Sequence, residues 1–100
     1  MTYTQVIIEI IKNVRSRITD KTDLTWTKYE RANELNAELD TDILELENGN
    51  LKKLEKYNLY FLPTGIFQEI AIPNGWGEDF VKLANDFDQM YELIKASRQH

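Results

Sequence analysis

The C-terminal part of the chain has the apolar spacing of one long amphipathic helix, and this feature restricts the possible folds more than any other. From Glu78 onward, apolar residues recur at intervals of three and four: Phe80, Leu83, Ala84, Phe87, Met90, Tyr91 and Ile94. Glu78 and Asp79 would lie in the first turn, where negative charge complements the helix dipole. The spacing predicts a helix over 78–97 with one buried face.

The N-terminal segment has a second pattern of the same kind. At 3.6 residues per turn, its apolar side chains fall on one broad arc: Tyr3, Val6, Ile7, Ile10, Ile11, Val14 and Ile18. We predict a helix over 4–18 that packs against the helix over 78–97, and we expect these two to be the longest in the fold. Ile8 lies off the arc, so we expect it to be exposed; the alternative is that it widens the apolar face for a partner.

A second helix is predicted over 24–38, where Asp23 or Thr25 would cap its first turn. Asp40 or Thr41 could then begin a short third helix. The pattern leaves open whether these two are one bent helix.

The Asn48-Gly49 pair would end that part of the chain, because glycine readily adopts the left-handed conformation of a helix C-cap. Asn50 would then cap a fourth helix over 51–57. Its apolar residues are spaced to meet on one side.

Residues 58–72 permit two interpretations. One is a short helix that Thr64 caps after Pro63, and the other is a β-hairpin whose first strand is 58–62. The helix is favoured because Pro-Thr-Gly followed by Gln-Glu suits a capped helix start better than a tight hairpin turn. Pro73 to Gly77 would form a turn, and Trp76 within it is expected to be buried rather than exposed as a binding anchor.

Five or six helical pieces joined by short polar turns predict a single all-α domain over 1–100, with a short hairpin at 58–72 as the local alternative. The length suits one core. The residues predicted to form that core are Ile7, Ile10, Ile11, Val14, Leu35, Leu54, Phe61, Phe67, Ile70, Phe80, Leu83, Phe87 and Tyr91.

The composition disfavours catalysis. The chain has no cysteine, which removes disulfides, thiolate zinc sites and cysteine nucleophiles, and its one histidine is the terminal residue His100. The acidic run 40–47 lacks the glycine and the last-position glutamate of a calcium loop. We therefore expect no enzymatic activity, no catalytic residues, no cofactor and no metal.

Charge and hydropathy also restrict the partners. The N-terminus has no basic region and carries a glutamate within its apolar run, so a signal peptide is not indicated. No apolar segment is long enough to span a membrane. A cytoplasmic protein without a membrane partner is expected. The net charge of −5 opposes binding to a phosphate backbone, so a nucleic acid partner is disfavoured.

The acidic residues are concentrated in the middle of the chain. Residues 31–50 contain six acids and only one base, Arg31. A surface this acidic predicts a basic protein partner, since complementary charge raises the association rate; a solvated face without a partner is the alternative. The residues expected at the contact are Glu34, Glu38, Asp42 and Glu45, with Trp76 as the apolar anchor if it is exposed.

Residues 59–88 read L-Y-F-L-P-T-G-I-F-Q-E-I-A-I-P-N-G-W-G-E-D-F-V-K-L-A-N-D-F-D. The succession of Pro-Thr-Gly, Gln-Glu and Asn-Gly-Trp-Gly resembles a stretch found in small acidic bacterial proteins. In size and composition the chain also resembles immunity proteins, a resemblance that implies neutralisation of a basic toxin or nuclease. The alternatives are an inhibitor that mimics nucleic acid and a structural domain that associates with itself as a homo-oligomer.

Overall fold

The computed structural model describes residues 1–98, and within that range the chain is helical and contains no β-strand. In chain order the elements are α1 (Tyr3–Ser16), α2 (Ala32–Glu47), a 3₁₀ turn (Leu51–Lys53), α3 (Leu54–Tyr60), α4 (Ile66–Ala71) and α5 (Gly77–Arg98). The all-α prediction is confirmed, and helices take the place of the alternative hairpin at 58–72. His100, the one histidine of the chain, lies outside the described residues.

Helix α1 begins with a capping box. The hydroxyl of Thr2 accepts a 3.1 Å hydrogen bond from the backbone N–H of Gln5, whose side-chain oxygen accepts one of 2.9 Å from the backbone N–H of Thr2. Ile8 is buried, contrary to expectation. The reason is that α1 packs against both α2 and α5, so its buried arc must be wider than the single stripe that contacts one neighbour.

The prediction that the second helix begins at residue 24 is wrong. Instead of capping a helix at 24, the Asp23 carboxylate accepts hydrogen bonds from the backbone N–H of Thr25 at 3.0 Å and from its hydroxyl. The Thr27 hydroxyl donates to the carbonyl of Leu24 at 2.9 Å. Because such side-chain to backbone bonds compete with helical ones, residues 23–31 form turns.

Helix α2 begins at Ala32 and continues without a break to Glu47, so it includes the predicted third helix. It has 16 residues, whereas α1 has 14. The prediction that the helix over 4–18 is one of the two longest is therefore wrong. Gly49 ends this part of the chain with a φ of +86°, as predicted for a left-handed C-cap, and the side chain of Asn50 accepts a hydrogen bond from the next helical turn.

Helices α3 and α4 meet at a tight junction. Gly65 precedes α4, and a Cβ atom at this position would lie 2.4 Å from the carbonyl oxygen of Leu59 and 2.6 Å from that of Tyr60. Only glycine lets the backbone approach the end of α3 this closely. Gly65, and not the predicted Thr64, occupies the N-cap position of α4, and no side chain caps that helix.

Helix α5 forms one side of the core and packs along α1, as predicted. Phe87 is fully buried and stacks on Phe61, with ring centroids 4.6 Å apart, and on Tyr91, at 5.6 Å. Of the predicted core residues, only Leu83 and Tyr91 are half-buried, and the others are buried. No helix within residues 1–98 is both long and apolar enough to cross a bilayer.

Candidate functional site

The four acids predicted to form a binding surface lie along one stripe of α2, but that stripe does not face solvent throughout. Glu34 is exposed, whereas Glu38 and Glu45 are half-buried and Asp42 is only 2% exposed. Residues spaced by three and four share a helix face. The middle of this face is covered by α3.

Lys56 of α3 forms an ion pair with each of the two covered acids. Its Nζ atom donates a hydrogen bond to Oδ2 of Asp42 and a second, 3.1 Å long, to Oε2 of Glu38. The same ammonium group lies over the rings of Tyr57 and Tyr60, at 5.2 and 5.5 Å from their centroids. One cation therefore holds two carboxylates and two aromatic rings together.

Tyrosine hydroxyls complete the cluster. Tyr57 donates a 2.6 Å hydrogen bond to Asp42, while Glu38 accepts bonds of 2.5 Å from Tyr29 and 2.8 Å from Tyr60. We refer to these six side chains as the tyrosine–carboxylate cluster. It joins α2 to α3 and to the turn segment that precedes α2.

The cluster favours the protonation states in which its members bind one another. Burial by itself raises the pKa of Glu38, but the hydrogen bonds from Tyr29, Tyr60 and Lys56 outweigh it and lower that pKa. For Lys56, burial by itself lowers the pKa. The hydrogen bonds from Lys56 to the two carboxylates outweigh burial, so the pKa of Lys56 is raised. Burial, reinforced by the hydrogen bond to Asp42, raises the pKa of Tyr57 far above its ordinary value.

A second ion pair reduces the acidic surface further. The guanidinium of Arg15 donates two hydrogen bonds, of 2.9 and 3.1 Å, to the two carboxylate oxygens of Asp40, and these bonds lower the pKa of Asp40. Among the acids of residues 31–50, this leaves Glu34, Glu45 and Glu47 without an ion pair to any residue in the described part of the chain.

Trp76 is buried, with 8% of its surface exposed. The guanidinium of Arg17 lies 5.4 Å from its ring centroid and is itself held by a 3.0 Å bond to Asp79. The expectation that this tryptophan is buried is confirmed. The protein's own side chains cover Trp76, so its indole is not exposed as an anchor for a partner.

Trp26 is the exposed tryptophan, with 71% of its surface accessible. It lies in the turn segment between α1 and α2, which the side chain of Asn74 fixes to the turn after α4. The Asn74 amide accepts a 2.8 Å bond from the backbone N–H of Asp23 and donates bonds of 2.9 Å to the carbonyl of Asp23 and 2.7 Å to that of Ile70.

Trp26 borders a groove of about 210 Å³ whose other walls are Gln68, Glu69, Ile72 and Pro73. We call this the Trp26–Ile72 groove. Ile72 is itself 61% exposed, so two large apolar side chains meet solvent here. Sequence reasoning missed this site because it placed Trp26 in a helix over 24–38; the Asp and Thr residues around it were the available signal for a turn.

Within residues 1–98, no group of three or more histidine, aspartate or glutamate side chains is arranged to hold a metal ion.

Comparison of the chain with protein-family models, with curated proteins and with solved structures gives no match.

Proposed function

We propose that the protein is a protein-binding module that holds its partner through Trp26. The observation that carries this proposal is the 71% exposure of a tryptophan on a segment fixed by hydrogen bonds. Tryptophan is over-represented among the residues that supply most of the energy at protein interfaces. Because the segment is already ordered, little conformational entropy is lost when a partner covers the indole.

The size of the groove supports a protein partner over a small molecule. Sites for small ligands are clefts of about 300–1,000 Å³ that enclose most of the ligand. The Trp26–Ile72 groove measures about 210 Å³, which suits one or two inserted side chains. The remaining contact would then come from the surface around the groove.

Charge supports a basic partner. The protein carries a net charge of −5, and Glu34, Glu45 and Glu47 make no ion pair inside the described chain. Such carboxylates raise the rate of association with a cationic protein. An immunity-type role, in which the chain neutralises a basic toxin or nuclease, is the specific form of this function that we propose.

Mimicry of nucleic acid is the weaker alternative. A mimic needs rows of exposed carboxylates, but Glu38 and Asp42 are bound to Lys56 and Asp40 is bound to Arg15. A structural domain that associates with itself is the other alternative. It predicts that the surface around Trp26 is covered by a second copy of the chain.

Affinity capture from extract of the source organism tests the proposal. The parent protein is compared with Trp26→Ala and with Leu44→Ala, a matched control at an apolar side chain that is 60% exposed on α2. Trp26→Ala should lower partner recovery at least about tenfold, as expected for a central anchor, and Leu44→Ala should retain it. Equal recovery by all three proteins, each shown by circular dichroism to be folded, would contradict the proposal.

A further inference from the structure

Acidic residues line both the Trp26–Ile72 groove and a concavity that shares Ile72 with it. Glu69 is exposed and forms one wall of the groove, and it makes no ion pair with any other residue of the described chain. Ile72 also borders a second concavity of about 470 Å³ that is lined by Glu78 and Asp79. Asp79 is held by Arg17, whereas Glu78 is exposed and has no such partner among the side chains described in residues 1–97.

Resting on the proposed protein-binding function, we propose that the Trp26–Ile72 groove receives a partner segment in which a large apolar side chain is flanked by lysine or arginine. The apolar side chain packs between the indole of Trp26 and the side chain of Ile72. The flanking cations meet Glu69 and Glu78. The apolar contact supplies affinity, and the carboxylates select the charge of the segment.

Two of the nearby basic residues already make contacts within the chain. Lys28 is the base closest to Trp26 in sequence, but its Nζ atom lies over the ring of Tyr29, 5.3 Å from the centroid. The hydroxyl of Tyr29 in turn is bound to Glu38 of α2. Arg17 is bound to Asp79 and stacked on Trp76.

The same charges argue against a second copy of this chain as the occupant. A symmetric dimer buries the same patch on both subunits, so Glu69 and Glu78 of one copy would approach those of the other. Like charges brought together at an interface oppose association. A cationic segment of a different protein removes this repulsion.

Titration followed by nuclear magnetic resonance tests the proposal on the full chain. The protein contains two tryptophans, so its two indole N–H signals report on Trp26 and Trp76 separately, and the variant Trp26→Phe assigns them. The probes are three synthetic peptides: a central phenylalanine flanked by lysines, the same peptide with glutamates in place of lysines, and the lysine peptide with serine in place of phenylalanine.

The lysine–phenylalanine peptide should shift the Trp26 indole signal and leave that of the buried Trp76 in place. The other two peptides should bind at least about tenfold more weakly, since each lacks one half of the recognition. High salt should weaken binding of the first peptide, because exposed charges are screened. Equal binding of the glutamate peptide, or of the serine peptide, would overturn the proposal.

Variants of the protein locate the contact. Ile72→Ser and Glu69→Lys should each weaken binding of the lysine–phenylalanine peptide several-fold, whereas Val81→Ser, at an apolar position that is 55% exposed on α5, should not. Equal weakening by Val81→Ser would place the contact elsewhere and overturn the proposal. A dimer that sediments as such and that Trp26→Ala dissociates would also overturn it, since a second copy would then occupy the groove.

Failure of this proposal is distinguishable from failure of the proposed function. If recovery of a cellular partner depends on Trp26 but the lysine–phenylalanine peptide leaves the Trp26 signal unchanged, the protein is a binding module for a segment of different chemistry, and only the present inference is wrong. If neither result depends on Trp26, both proposals are wrong.

Discussion

The hydroxyl of Tyr57 donates a 2.6 Å hydrogen bond to Oδ2 of Asp42, the same oxygen that accepts a bond from Lys56. Asp42 is 2% exposed, and a buried carboxylate is costly unless it is paired and hydrogen-bonded. Helices α2 and α3 can therefore dock favourably only where Lys56 and Tyr57 reach Asp42. The pairing restricts how the two helices fit together as well as joining them.

Replacement of Lys56 by methionine should destabilise the fold. The change keeps the apolar stem but leaves Asp42 buried without its cation, which typically costs about 3–5 kcal/mol. Because the Lys56 side chain is 28% exposed, we expect a loss at the lower end, about 3 kcal/mol. Urea denaturation measures it. Lys52→Met, at an exposed neighbouring position, is the control, and an equal loss in both variants would show that the buried pair contributes nothing specific.

The tyrosine–carboxylate cluster should make the fold sensitive to alkali. Burial and the hydrogen bond to Asp42 raise the pKa of Tyr57 above its value of about 10 in the unfolded chain. Because the pKa is raised in the folded state, Tyr57 contributes to the free energy of unfolding below about pH 10. This contribution is lost as the pH rises further, because the native state then binds more protons than the unfolded state.

The variant Tyr57→Phe cannot ionise at this position. Its free energy of unfolding should therefore fall less than that of the parent between about pH 8 and about pH 11. Tyr3→Phe, at a residue that is 45% exposed and lies outside the cluster, is the matched control. Denaturant titrations across this range decide the matter, and identical slopes for Tyr57→Phe and the parent would refute the expectation.

Gly65 and Gly77 should respond in opposite ways to alanine. At Gly65 the new Cβ atom would lie 2.4 Å from a backbone carbonyl oxygen of α3, so the junction between α3 and α4 must shift; such overpacking typically costs about 1–3 kcal/mol. At Gly77 the nearest atom, on Ile72, would be 3.6 Å away, an ordinary contact. Alanine there should be neutral or stabilise by up to about 1 kcal/mol, because it restricts the unfolded chain.

Thermal denaturation of the two variants is the measurement. A melting temperature for Gly65→Ala equal to that of the parent would show that the junction accommodates a side chain. In that case the close approach of the two helices would not be what requires glycine at this position.

Phe87 should be among the most costly side chains to truncate. It is fully buried and stacks on Phe61 and Tyr91, so Phe87→Ala should cost about 3–5 kcal/mol, the usual range for a buried aromatic residue. Val81→Ala, at a position on α5 that is 55% exposed, should change stability by less than about 0.5 kcal/mol. Denaturant titration compares them. A loss below about 1 kcal/mol for Phe87→Ala would mean that another face of α5 forms the core.

The sequence by itself determined the elements whose evidence is local. The apolar spacing of α1 and α5, the glycine after α2 and most of the core positions could be identified in advance, because helical periodicity and backbone conformation depend on residues a few positions apart. The start of α2 could not, since the hydrogen bonds of Asp23 and Thr27 outcompete a helix that the apolar pattern favours.

Only the tertiary structure decided which acids and which tryptophan meet solvent. Lys56 is 14 residues from Asp42 and 18 from Glu38, and no local pattern indicates that one cation would cover both. Trp76 is buried under Arg17, while Trp26 is held outside the core by the contact between Asp23 and Asn74, which are 51 residues apart. Composition fixes how much charge and apolar surface the chain carries. The long-range contacts fix where each is exposed, because they alone determine which faces of the helices are covered.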